Sequence, residues 1–103
     1  MEPSLTHAEF TQNINAKFQV AIDEQKFVEL ELVQVSEVKL FPQQEQFAIV
    51  FRGPLDMYLG QGTQLFKHEQ MGEFELFVVP ISKDAQSVYY EAVFNRLREQ
   101  VAE

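Results

Sequence analysis

His7 and His68 are the only histidines in the chain. A neutral imidazole can ligate zinc or act as a general base at neutral pH. Neither histidine sits in an HxH or HExxH spacing, so a metal site would have to be assembled from distant carboxylates. A surface or structural role is the stronger reading for both. Two pairs of acids, Glu29 with Glu31 and Glu73 with Glu75, each fall on one face of an alternating stretch. Such a pair can do acid–base work when an apolar pocket raises the pKa of one member. Acids at i and i+2 opposite apolar residues are also what the wet face of a half-buried strand carries, and that reading is the stronger. Ser4, Ser36, Ser82 and Ser87 lack the GxSxG setting of an activated nucleophile. Gly53, Gly60, Gly62 and Gly72 form no phosphate-binding loop, because no GK[ST] follows them. With no cysteine in the chain, thiol catalysis, disulfides and thiolate metal sites fall away. The expectation is a protein that is not an enzyme, with no catalytic residue, no cofactor and no metal.

The segment Arg52-Gly53-Pro54-Leu55-Asp56 is the best remaining constellation. Arg52 at a strand end and Asp56 four residues on can pair across the turn, and a salt-bridged turn is the leading reading. The functional reading is a ligand or partner contact on a loop. Tyr58, Tyr89, Tyr90 and Phe77 are aromatics that alternation places off the main core face or in a loop. They make either a second packed layer over the sheet or a partner surface, where Tyr and Phe are enriched. The candidate interaction residues are therefore Arg52, Asp56, Tyr58, Phe77 and Tyr89.

The elements that must position these groups are mostly strands. Thr6-His7-Ala8-Glu9 has the form of a capping box and predicts a short helix over residues 7–13, with Leu5 and Phe10 placed as a hydrophobic staple. Residues 17–22 alternate, with Phe18, Val20 and Ile22 on one side, and residues 23–26 form a polar turn. In residues 27–35, Val28, Leu30 and Leu32 share a parity that Val33 and Val35 reverse. A parity switch inside one strand predicts a bulge of the kind that lets a short sheet curl. Residues 41–45 read as a connection. Residues 46–52 are apolar on both faces, which predicts a central strand covered on both sides. Gly53-Pro54 is expected to end it and to turn the chain into one helical turn within residues 55–61. Residues 63–68 and 73–80 form a hairpin, with Gly72 supplying the positive φ of its turn. Residues 82–87 read as a polar loop. Residues 88–95 suit a strand through Tyr89, Tyr90, Val93 and Phe94, and residues 96–103 suit a helical or frayed tail.

The chain has 103 residues, ten of them Phe. That length makes one domain, residues 1–103, able to bury one modest core. Each aromatic buries about 150–250 Å², so a few of them furnish a small interior. Six strands in so short a chain favour a fold that removes exposed edges. The fold class expected is mainly β: about six antiparallel strands in a curled sheet or small barrel, with a short N-terminal helix. Sixteen acidic against eight basic residues give a net charge of -8, which argues against nucleic acid and against anionic membrane surfaces. No apolar run approaches the ~20 residues of a spanning helix. Met1-Glu2-Pro3-Ser4 carries no basic n-region and no apolar h-region of a signal peptide. A cytoplasmic location is the expectation.

The string Phe51-Arg52-Gly53-Pro54, then Gln61-Gly62-Thr63, His68, Gly72, Leu76-Phe77-Val78-Val79-Pro80 and Tyr90-Glu91-Ala92-Val93-Phe94-Asn95, resembles a family of small bacterial proteins classed as a domain of unknown function. The resemblance covers about residues 27–95 and favours the strand reading of residues 90–95. It implies a setting near tail-fibre or tail-collar-like genes for some relatives, and it carries over no catalytic or binding residue. The function expected is a non-enzymatic protein-interaction or assembly module, related to tail-like particles through that setting, with a protein partner or self-association. The alternative is a small barrel that binds an apolar ligand.

Overall fold

The computed structural model describes the backbone of residues 6–97 and the side chains of residues 6–95. The staple involving Leu5 and the tail beyond Leu97 lie outside the described residues. One helix, α1 (His7–Gln12), precedes seven strands: β1 (Lys17–Ala21), β2 (Phe27–Val35), β3 (Lys39–Phe41), β4 (Gln44–Pro54), β5 (Gly62–His68), β6 (Gly72–Lys83) and β7 (Ser87–Leu97). All strand pairs are antiparallel. The sheet order is β2-β1-β5-β6-β7-β4-β3, and an additional β2–β4 pairing closes six of the strands into a barrel, with β3 extending β4 as an extra strand. The expected small mainly-β barrel with an N-terminal helix is what forms.

Closure depends on β2. Its first half pairs with β1 from Phe27↔Ala21 to Glu31↔Lys17. Its second half pairs with β4, and the register shifts between Leu32 and Gln34. The extra residue is Val33, so the parity reversal seen in the sequence is a β-bulge. After it, Val35 lies opposite the buried Ile49. Ser36 then breaks β2 from β3. Its hydroxyl accepts from the Ala48 N–H at 2.8 Å, and its own N–H donates to the Ala48 carbonyl at 2.8 Å.

The two ends of the barrel are covered by the two non-strand elements. At one end sits α1. Its N-cap Thr6 accepts from the Glu9 N–H at 3.1 Å, as the capping box requires. The helix buries Phe10 against Phe47, Phe74 and Phe94, and His7 Nε2 donates to the Ser36 carbonyl at 2.7 Å. At the other end, residues 55–61 connect β4 to β5. These strands stand on opposite sides of the barrel in the sheet order, so the connection runs across the mouth as a strap. It begins with a 3-10 turn, Leu55–Met57, and packs Met57 and Leu59 on the core.

The inside is occupied by side chains. Phe18, Leu30, Leu32, Phe51, Phe66, Val78 and Tyr90 are all fully buried. Phe18 meets Phe51 edge-on at 5.4 Å, and Phe66 stacks on Phe74 at 5.6 Å. Each such ring gains roughly 1.5–3 kcal/mol from burial.

Several expectations need correction. Residues 82 and 83 continue β6, and residues 96 and 97 continue β7 opposite Glu45 and Gln44, because the β6–β7 and β4–β7 ladders carry both strands past their local signals. Residues 39–41 form a strand, and Pro42 and Gln43 alone make the hairpin turn to β4. Gly53 and Pro54 do not end β4: they pair with Val88 and Ser87, and the chain turns at Leu55. Gly53 has another purpose. It faces inward, and a Cβ there would stand 2.4 Å from Leu30 Cδ2 and 3.4 Å from Tyr90 Cε2. Its missing side chain is the space that the Leu30 methyl and the Tyr90 ring take. β4 is central in its pairing, but its outer residues Ala48 and Val50 are half-buried rather than covered by a second layer.

Gly53→Ala is expected to destabilise the protein by about 1–3 kcal/mol through overpacking, read as a lower urea midpoint at unchanged slope. A strand-terminating role alone would leave the midpoint where it is.

Candidate functional site

The residues picked out for chemistry are dispersed over the barrel, and both histidines and Glu29, Glu31 and Glu73 make contacts that serve the fold. His68 ends β5, where its ring stacks on Phe18 at 4.4 Å. Its Nδ1 accepts from the backbone N–H groups of Gln70 and Met71, both at 3.1 Å. The imidazole thus holds the β5–β6 turn as Asp23 and Asp84 hold theirs. Asp23 Oδ1 accepts from Gln25 and Lys26 N–H groups, and Asp84 Oδ1 accepts from those of Gln86 and Ser87. Of the glutamates, Glu29 lies 4.0 Å from Lys17, Glu73 lies 3.7 Å from Lys67, and Glu31 pairs with Arg52. Lys67 also stands 5.0 Å over the Phe27 ring. Among the described residues, no three His, Asp or Glu side chains converge on one point.

Arg52 does not clasp Asp56. Arg52 lies opposite Glu31 on β2 and opposite Tyr89 on β7, so its guanidinium reaches across strands to Glu31, while Asp56 belongs to the strap. Hydrogen bonding to Glu31 raises the Arg52 pKa above its usual value, with Tyr89 adding to the effect. Tyr89 in turn donates to Asp84 Oδ2 at 3.0 Å. Glu31, Arg52, Tyr89 and Asp84 form a polar chain across the outside of β2, β4 and β7 to the β6–β7 turn. The backbone N–H of Gln86, followed by the Tyr89 hydroxyl, holds the Asp84 carboxyl below its ordinary range.

Tyr90 differs from the other aromatics expected off the core face: it is fully buried. It pairs with Phe51 on β4, an inward position, and its hydroxyl accepts from the Leu59 N–H of the strap at 3.0 Å. Burial raises its pKa.

The other candidates lie on one side of the barrel. Tyr58 is 63% exposed on the strap and forms one wall of a hollow of about 460 Å³, lined also by Leu55, Pro80, Ile81, Lys83 and Val88. Phe77 is 54% exposed on the outer face of β6. It lines a second hollow, of about 270 Å³, with Val79, Glu91 and Val93. Tyr89 lies along β7 between Val88 of the first hollow and Glu91 of the second, and Arg52 stands opposite it on β4. Of the five candidates, Phe77 and Tyr89 lie on β6 and β7, Arg52 on the adjoining β4, and Tyr58 and Asp56 on the strap, where both line a groove with Ile22 and Gln64.

Val79, Ile81 and Val93 belong to this surface and were missed. Ile81 and Val93 are 48% and 54% exposed. The sequence carried a signal for the first two: Phe77, Val79 and Ile81 are apolar at the parity opposite to the buried Phe74, Leu76 and Val78. Ile81 also marks a second bulge, where the β6–β7 register shifts between Pro80 and Ser82.

These features define a closed six-stranded antiparallel barrel with a filled interior and an apolar strip on one outer face. Residues 5–94 match the family described as a domain of unknown function (DUF6916), and the chain belongs to that family. No curated protein and no solved structure matches it. Among the described residues, no helix is long and apolar enough to cross a membrane.

Asp84 supplies a pH test. Because its folded pKa is depressed, its contribution is present above the ordinary carboxylate value of about 3.9 and is lost as pH falls through the folded value. Asp84→Asn is expected to flatten part of the acid limb of thermal stability between about pH 5 and pH 2, while Asp84→Ala lowers the melting temperature at neutral pH as well. An unchanged acid limb in Asp84→Asn would contradict this assignment.

Proposed function

We propose that this protein is a non-enzymatic interaction or assembly module that engages a protein partner through the outer face of β6 and β7. The observation that carries the reading is the exposed Phe77, Ile81 and Val93, with the half-buried Val79 among them, on a barrel whose interior is already full. Contiguous exposed apolar surface marks interaction sites. The hollows beside Tyr58 and Phe77 offer places for inserted side chains, as anchor residues of protein interfaces use. The Glu31–Arg52–Tyr89–Asp84 chain gives the strip a polar margin of the kind interfaces carry. An apolar small ligand inside the barrel would have to displace buried rings such as Phe51, Phe66 and Tyr90, which makes the outside the better-supported place for function. A bacterial origin and a tail-like-particle setting rest on the sequence resemblance alone, and a cytoplasmic location rests on the composition and the first residues of the sequence.

A photo-crosslinking amino acid placed at Phe77 or Val93 is expected to yield protein adducts in cells expressing the full chain. The same group at Gln19 or Gln25, on the β1–β2 side, is expected to yield none. Equal yields at all four positions, or none at any, would contradict the proposal.

A further inference from the structure

We infer that the partner presents a cationic apolar segment, in which Lys or Arg alternates with branched or aromatic side chains. The inference rests on the interaction reading above and adds the chemistry of what is bound. Two carboxylates accompany the apolar strip. Glu75 precedes Phe77 by two residues on the outer face of β6 and is exposed. Glu91 stands on β7 two residues before Val93, opposite Val79 in register, and lines the hollow with Phe77 and Val93.

Neither acid belongs to an ion pair among the described residues, where Lys17, Arg52 and Lys67 are paired with Glu29, Glu31 and Glu73. The other described cations on this side, Lys39, which shares a hollow with Val93, and Lys83, which lines the hollow with Tyr58 and Ile81, pair with neither acid. Covering the strip with a purely apolar partner would strip water from Glu91 without compensation, which is costly for a charged group. A guanidinium or ammonium beside the apolar anchors removes that cost. The net charge of -8 also steers such a segment toward the protein.

The same reasoning disfavours a second copy as the occupant. A two-fold contact places the same patch on both sides. It would bring Glu75 and Glu91 of each chain into one interface, and like-charge juxtaposition opposes association.

The test uses the full chain and two synthetic peptides, one alternating valine with lysine and the other alternating valine with glutamate, titrated by calorimetry. The lysine peptide is expected to bind and the glutamate peptide not. Glu75→Gln/Glu91→Gln and, separately, Phe77→Ser are each expected to weaken binding about tenfold or more. Glu24→Gln/Glu69→Gln, which removes the same charge from two turns, is expected to leave it within about twofold. Circular dichroism checks that each variant keeps the fold.

Equal weakening by the turn variant would show general charge attraction and overturn the inference. So would binding of the glutamate peptide, or a wild-type dimer in light scattering that Phe77→Ser converts to monomer. If crosslinks form at Phe77 but neither peptide binds, the cationic chemistry is wrong and the interaction face stands. If crosslinks also fail, the interaction reading itself is lost.

Discussion

The double pairing of β2 is the constraint on which the rest of the structure depends. One strand must satisfy β1 along its first half and β4 along its second, with its apolar side chains inward throughout. A regular strand cannot do this when its apolar residues change parity at Val33. The bulge absorbs one residue, so that Leu32 and Val35 face the same interior. Without that step the sheet would stay open, with β2 at one edge and β4 exposed beyond Arg52. Closure sets the size of the interior, and a six-stranded interior is narrower than the eight-stranded barrels that side chains just fill. Gly53 shows how tight the result is, because a Cβ there would have to displace the methyl of the fully buried Leu30.

A filled interior moves function to the outside. The inward rows of β4, β6 and β7 are taken up by Phe47, Ile49, Phe51, Phe74, Leu76, Val78, Tyr90 and Ala92. The ends are taken up by α1 and the strap. What is left for recognition is the outer surface, and that surface is uneven. The outer faces of β1 and β2 carry Lys17, Gln19, Glu29 and Glu31 with Phe27 at one end, while the outer faces of β6 and β7 carry Phe77, Val79 and Val93 among Glu75 and Glu91. The hairpin turns are fixed by Asp23, His68 and Asp84 through the same device of one side chain accepting from two successive backbone N–H groups. The unequal faces are thus presented by rigidly joined strands.

Much of the fold was legible in the sequence because the relevant signals are local. The capping box at Thr6, the Phe18–Val20 alternation, the bulge at Val33 and the positive φ of Gly72 all appear where the residues placed them. Signals that depend on distant partners were not legible. Gly53-Pro54 reads locally as a strand end, but the long β4–β7 ladder carries the strand through it. Residues 39–41 are too short to announce a strand without β4 beside them. Arg52 was read as an ion-pair residue, which it is, but at a strand end and with the wrong partner, because Glu31 is twenty-one positions away and only the β2–β4 register brings it close. Of the interaction residues, Phe77 stood out through its parity, and Val93 did not, because the neighbouring Tyr90–Ala92–Phe94 alternation drew the eye to the other face.

Amide hydrogen exchange of the uniformly labelled protein tests closure most directly. If β2 is held on both sides, the amides of residues 30–35 that are hydrogen-bonded in the sheet exchange only through global unfolding. They then report the same free energy as those of Phe51 and Tyr90 in the middle of the β4–β7 ladder. Exchange of residues 32–35 by local opening, at the rates of a frayed edge strand, would contradict a closed barrel. The filled interior and the outward assignment of function would fall with it.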